Sequence, residues 1–436
     1  MNKKIMRISF SFILISMLTW LIWAPSIAKD FSHSKDLSLL FDNAEKTKTS
    51  SKKIKKTPDQ NKQDVDTDVW IIMDKNEAKS AREALRLSEG EIITNQVGEA
   101  LFSASLSAVS ELVDFMLATY KRAPGFFAYD SKEEALKDLY ATPAPAPEIS
   151  YTIDQQEKIV PMVAQVSEKD ISATITKLES FYNRYYTSSY GINSSKWIAA
   201  HWGDIAKKRP DIDVELYNHS SFPQDSIILT IKGTKDPDKV VVIGGHADST
   251  SGWWGGEDSR APGADDNGSG IAVITEALRV IVASGYHPSK TIKLMGFAAE
   301  EVGLRGSREI AAEYGSKGMN VVGMANFDMT NFKGSPNDIY LLSDNTSRPQ
   351  NTFMGNLIDE YVNVPWGWTE CGYGCSDHAS WTKQGFAAST PFETAKDGMN
   401  GNIHTSRDTL ANCGGNASHS TNFAKLAIAY LVEMAK

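Results

Sequence analysis

The sequence predicts an α/β fold: a mixed, largely parallel central sheet with helices on both faces, preceded by a small α+β domain. Three observations carry this reading. Residues 240–243, 291–297 and 321–327 are predominantly apolar runs of strand length. Runs without alternation belong to strands buried on both faces, the signature of a parallel sheet covered on each side. Between the first two runs, Ile271, Ile274, Leu278 and Ile281 recur at helical spacing, so strand and helix alternate.

The elements follow in chain order. Lys3, Lys4 and Arg7 precede an apolar stretch at 8–23 and then Ser26-Ile27-Ala28, a small-x-small cleavage pattern. This is a secretory leader over 1–28, cut after Ala28; its apolar stretch is short for a membrane span of ~20 residues. The product is expected to be secreted, or periplasmic, with no stable membrane association once the leader is gone. Residues 29–67 are polar and read as a disordered, solvated spacer, with Lys52-Lys53-Ile54-Lys55-Lys56 as a protease-sensitive run.

Order resumes in a small α+β domain at 68–140. Residues 69–73 and 91–97 read as strands. Leu106, Val109, Leu112, Val113 and Met116 mark an amphipathic helix over 105–120, and 125–128 reads as a closing strand. Residues 141–149 form an extended Pro/Ala linker. A small unit ahead of a cleavable linker in an exported chain is expected to be a propeptide removed by a processing protease. The rest, 150–436, is one large domain. It opens with a helix in which Ile171, Ile175, Leu178, Tyr182 and Tyr185 step by 4 and 3.

Composition narrows the function. With 41% hydrophobic residues in 436, the chain buries a large core. A net charge of −9 argues against nucleic acid as the main partner, and three cysteines exclude a disulfide scaffold. The protein is expected to be a monomer.

Ligands of open α/β sheets bind outside the carboxyl ends of the strands. The first apolar run leads into Gly244-Gly245-His246-Ala247-Asp248, the second into Ala298-Ala299-Glu300-Glu301, and the third into Asp328. Gly263-Ala264-Asp265-Asp266-Asn267-Gly268 and Ile403-His404-Thr405 add further groups. Carboxylates and imidazoles are the usual ligands of hydrolytic zinc, and five of them could hold two ions about 3.5–4 Å apart, bridged by one carboxylate. Taken singly, Asp265 and Asp266 could cap the following helix and Glu300–Glu301 could be a solvated corner. Spacing alone leaves open which acid bridges.

These segments resemble the secreted bacterial leucyl aminopeptidases, a family of dizinc exopeptidases. The matching stretches are Gly244-Gly245-His246-Ala247-Asp248-Ser249-Thr250, Ala261-Pro262-Gly263-Ala264-Asp265-Asp266-Asn267-Gly268, Ala299-Glu300-Glu301 onward to Ser307, Asp328-Met329-Thr330-Asn331, Cys371-Gly372-Tyr373-Gly374-Cys375-Ser376-Asp377-His378 and Ile403-His404-Thr405.

The resemblance implies the zinc exopeptidase fold and two Zn2+ per chain. His246 and Asp328 would bind one ion, Glu301 and His404 the other, with Asp266 between them. Glu300 would be the general base. Asp248 would orient His246, and Tyr373 would polarise the scissile carbonyl. Cys371 and Cys375 would form a disulfide, and Asp266–Asn267 would be a non-proline cis peptide. Met329, Leu342, Cys375, Phe392 and Ile403 would line an apolar pocket for the N-terminal side chain. Lys396, Asp397 and Met399 stand where more aromatic lining is expected. Cys413 is left without a partner and is expected to be free or surface-exposed.

The implied activity is hydrolysis of the N-terminal peptide bond of peptides and proteins, with preference for large hydrophobic residues such as leucine. Two rival readings are another zinc enzyme of the same fold (a glutaminyl cyclase or carboxypeptidase) and a non-catalytic binding domain. The five-ligand, two-metal set argues against the cyclase, and the intact Glu300 with all five ligands argues against the binding domain. Ser376-Asp377-His378 cannot form a hydrolase triad, whose members converge from separate positions.

Overall fold

The computed structural model describes residues 68–87, 91–120, 125–141, 149–252 and 256–436. The expected leader, the spacer and most of the linker lie outside the described residues.

The N-terminal part is a four-stranded antiparallel sheet of β1 (Asp68–Asp74), β2 (Ile93–Thr94), β3 (Glu99–Ser105) and β4 (Phe127–Tyr129), in the order β2-β3-β1-β4. Three helices accompany it: α1 (Lys75–Leu85), α2 (Leu106–Tyr120) and α3 (Lys132–Leu139). Strand 91–97 is much shorter than the sequence suggests. Asn95 Oδ1 accepts from Val97 N at 3.1 Å and Glu99 N at 2.9 Å, closing an Asx turn that sends the chain back as β3. That strand then pairs with β1 over its whole length, from Asp68↔Ser105 to Asp74↔Glu99. Side-chain caps start two of the helices: Asp74 Oδ1 accepts from Asn76 N and Glu77 N, and Ser131 from Glu134 N.

In the large part, α4 (Gln156–Val163), α5 (Glu168–Glu179) and α6 (Ser189–Ala206) lead into β5 (Ile212–Tyr217), β6 (Ser226–Ile231) and β7 (Asp236–His246). Next come α7 (Gly270–Ala283), β8 (Lys290–Phe297), α8 (Arg305–Ser316) and β9 (Asn320–Asn326). The chain continues with β10 (Ile339–Leu342), α9 (Arg348–Leu357), β11 (Trp366–Thr369), α10 (His378–Lys383), β12 (Ala388–Ser389), β13 (Pro391–Phe392) and α11 (Ser420–Met434).

The central sheet has six strands in the order β12-β9-β7-β8-β6-β5. The first four are parallel; β6 runs antiparallel to β8, and β5 pairs antiparallel with β6 and so returns to the direction of the first four. The α/β class with a mixed, largely parallel sheet is therefore what the molecule has. Both faces are covered. Val241 and Ile243 join the core under α5, α6, α7 and α11, while Val240 and Val242 join the core under α8 and α10. Successive residues point to opposite faces, which is why β7 reads as unbroken apolar sequence.

Helix α5 stops at Glu179, short of the Tyr182 and Tyr185 included in its periodicity. The chain leaves the helix to deliver Arg184 into the interior. Its guanidinium is fully buried and donates to the carbonyls of Ala247, Pro262 and Gly263. The run after Leu178 keeps helical spacing by coincidence; Tyr182 ends 41% exposed while Tyr185 is buried. Arg184→Met should strand several buried carbonyls, each worth about 1–3 kcal/mol. Its urea midpoint is expected to fall accordingly, with the m-value unchanged.

Candidate metal centre

Strand register builds the site. Gly244 pairs with Met295 and Asn326, and His246 with Phe297, so β7, β8 and β9 end at one level. The residues that follow them, Asp248, Glu300–Glu301 and Asp328, therefore share one edge. Asp266 arrives from the turn before α7, and His404 from the segment before α11.

His246 Nε2 lies 3.0 Å from Asp266 Oδ1 and 3.4 Å from Asp328 Oδ1. His404 Nε2 lies 3.0 Å from Asp266 Oδ2 and 2.9 Å from Glu301 Oε2. These are two ligand trios, His246-Asp266-Asp328 and Asp266-Glu301-His404, with Asp266 common to both. Every member is buried. Neither ring nitrogen makes an aligned hydrogen bond to the oxygens beside it, and Asp328 Oδ1 and Glu301 Oε1 also lack a hydrogen-bond partner. Buried polar atoms are rarely left so. Donors that converge without bonding one another fit cations between them.

The electrostatics agree. Burial pushes Glu300 well above the usual carboxylate range, opposed by His246 and reinforced by Asp377, Glu301 and Asp328. Burial and Asp266 lift Glu301 to about 7 against the pull of His404. Asp266 is also penalised by burial, yet the imidazoles of His246 and His404, each 3.0 Å away, hold it below its ordinary value. Both imidazoles are raised because the surrounding carboxylates outweigh their burial. Carboxylates outnumber imidazoles here, so the site carries surplus negative charge.

Supporting groups fix these side chains. Asp248 Oδ1 accepts from Glu300 N and Oδ2 from Glu301 N, each at 3.1 Å, and Oδ1 lies 3.4 Å from His246 Nδ1. One carboxylate thus ties the end of β7 to the turn after β8. Asn267 Nδ2 donates to Phe327 O at 2.9 Å, and its Oδ1 accepts from Gly270 N and Met329 N. Neither Asp265 nor Asp266 caps α7. The Asp266–Asn267 peptide is cis. If His246 holds a metal, Asp248→Asn should weaken that metal about 10–100-fold, read by titration with a competing chelator.

Asp408 was not singled out from the sequence. It is buried and accepts from Asp265 N at 3.1 Å and Asp266 N at 3.0 Å, holding the shared carboxylate's backbone. It follows His404 by four residues, but nothing in that spacing marks its role.

A pocket opens on the two trios. Its lining includes Met329, Leu342, Cys375, Phe392 and Ile403, together with Glu300 and Tyr373. Lys396 and Met399 line it too, and Thr369, Glu370 and Thr390 were not anticipated. The Lys396 ammonium donates to the Cys371 carbonyl. Cys371 and Cys375 are disulfide-bonded. Cys413 is free but buried, not surface-exposed; Asn331 Nδ2 donates to its carbonyl from inside the fold.

Two carboxylate–imidazole trios sharing one acid at the mouth of an apolar pocket define a metallohydrolase centre. The model of peptidase family M28 matches residues 226–430. Leucine aminopeptidase 1 of Arthroderma otae is 35% identical over 323 residues, covering 71% of this chain and 85% of the relative. A probable aminopeptidase of Saccharomyces cerevisiae is 32% identical over 314 residues, 70% of this chain and 81% of the relative. Among solved structures, the LapA aminopeptidase of Legionella pneumophila superposes with a TM-score of 0.74 at 27% identity, over 85% of this chain and 98% of that one. The chain belongs to peptidase family M28, and its class is metallo-aminopeptidase. A glutaminyl cyclase of Porphyromonas gingivalis shares the fold at 15% identity and a TM-score of 0.50, over 61% of this chain and 98% of that one.

Proposed function

We propose that this protein is an exported dizinc aminopeptidase that removes large hydrophobic residues, leucine among them, from the N-termini of peptides and proteins. The observation that carries the reading is the pair of trios meeting at Asp266. His246 and Asp328 would hold one ion, Glu301 and His404 the other, and Asp266 both. Two zinc ions, when bound, supply Lewis-acid polarisation of the scissile carbonyl and activation of water at neutral pH.

The chain's own groups do the rest. Glu300 stands beside Glu301 with its carboxylate on the pocket wall, placed to take the proton of the attacking water. It then returns that proton to the leaving amine. Its raised affinity for a proton, which bound cations would moderate, suits both transfers. Tyr373 reaches the same pocket and would hydrogen-bond the carbonyl oxygen as charge develops on it. Met329, Leu342, Phe392 and Ile403 offer apolar contact to the departing residue's side chain. The leader read in residues 1–28 supports export, where a disulfide such as Cys371–Cys375 persists.

The test is a panel of aminoacyl-anilides, free and N-acetylated, with and without chelator. The proposal expects leucine-anilide to be cut, its N-acetyl form to be refused, and chelator to abolish turnover. Cyclisation of N-terminal glutamine without anilide hydrolysis would instead favour the cyclase reading.

A further inference from the structure

The small domain sits against the loop that carries Glu300. Ala128 N, in β4, donates to Gly303 O at 3.0 Å, and Gly303 N donates to Glu300 O at 3.0 Å. Two hydrogen bonds therefore connect the small domain's edge strand to the backbone of the proposed base. Gly303 has φ of +103°, and a Cβ there would come within 2.7 Å of Ala128 Cβ and 2.9 Å of Phe126. Only glycine permits so close an approach in that conformation.

The surroundings reinforce the contact. Phe126, Ala128 and Phe102 share one buried apolar cluster with Ala298, Ala299 and Val302, the residues flanking Glu300 and Glu301. The first turn of α8, directly after the loop, is pinned by charge. Arg305 Nη2 donates to Asp130 Oδ1 and Arg308 Nη1 to Glu134 Oε1, each at 2.6 Å, and both arginines are buried. From the other side Ala298 N donates to Ser226 Oγ, which is bonded to His219.

Among the described residues, none that lines the substrate pocket comes from 68–141. The domain's described residues pack behind the loop that carries the base. The match to LapA spans 85% of this chain, more than residues 149–436 comprise, so that solved chain carries a counterpart of at least part of the small domain.

We infer that residues 68–140 are a retained positioning domain: their β4 edge holds the Glu300–Gly303 turn from behind, and the enzyme needs them for turnover. The inference rests on the aminopeptidase reading and on Glu300 as base. It differs from the expectation of a removable propeptide in requiring the domain for turnover, and the experiment below separates the two.

The test introduces a specific protease site between Ala141 and Ile149 of the full-length, zinc-loaded enzyme. After cutting, the two pieces should co-elute on gel filtration with activity unchanged. In the same cut protein, Asp130→Arg with Glu134→Arg sets four cations against one another and should release the small piece. On release, kcat for leucine-anilide should fall at least about tenfold, with KM changed less than about threefold and zinc content unchanged. An unchanged or increased kcat after release would overturn the inference. So would loss of zinc together with activity, since the domain would then support the whole fold and not the base. An inactive intact, uncut enzyme would sink the aminopeptidase reading itself, and this inference with it.

Discussion

Glu300→Gln is expected to lower kcat by about 10²–10⁴-fold, the range for removing a positioned general base, while the protein still binds its full complement of zinc. The separation of effects follows from geometry. Glu300 belongs to neither ligand trio, yet it lines the pocket one residue from Glu301. Its backbone N–H is held by Asp248 Oδ1 at 3.1 Å, and the substitution leaves that bond in place. Glutamine keeps the side chain's length and shape and removes only the capacity to take a proton. Because burial raises the proton affinity of Glu300, activity should decline on the acid side of the optimum as its carboxylate is protonated. The variant's residual rate should lose that limb. Metal analysis and steady-state kinetics on one preparation check both halves. Near-normal turnover, or loss of zinc in parallel with activity, would contradict the assignment.

Asp266→Ala should have a comparable effect by a different route. Asp266 is the member common to both trios, with one carboxylate oxygen 3.0 Å from each imidazole. Removing it takes a ligand from both ions and leaves two histidines without the group that joins them. Zinc content should fall below two per chain, and the rate by at least on the order of 10³, equivalent to several kcal/mol of lost transition-state stabilisation. His404→Ala offers the contrast: it touches one trio only, so one ion should remain tightly held. If both variants lose the same amount of metal, Asp266 is not shared.

The residues in these predictions were legible in the sequence for a physical reason. A parallel sheet places its ligands at strand ends, and in this chain His246, Glu300–Glu301 and Asp328 directly follow apolar runs that announce their strands. Asp266 and His404 lie in loops without such a marker, and for them the motif resemblance did what periodicity could not. The central parallel strands were visible because both faces are buried. Strand β5 was not, because half its residues face solvent and it pairs antiparallel at the sheet edge.

Strand β3 and helix α3 were missed in the small domain, where an Asx turn at Asn95 and a cap at Ser131 set boundaries that hydrophobic spacing does not encode. Helix α5 shows the opposite error. Its 4-and-3 spacing continues past Glu179, but there the chain leaves the helix and Arg184 is buried with four carbonyl partners. Asp408 and Asn267 act through backbone groups brought from distant positions, and no linear pattern records such contacts.

The most direct test of the account is zinc stoichiometry measured alongside turnover. Metal-free protein is titrated with zinc while leucine-anilide hydrolysis is followed on the same samples. Two tightly held ions per chain are expected at saturation, with full activity reached only as the second binds. Saturation at a single ion with full activity would contradict a centre built around a shared Asp266.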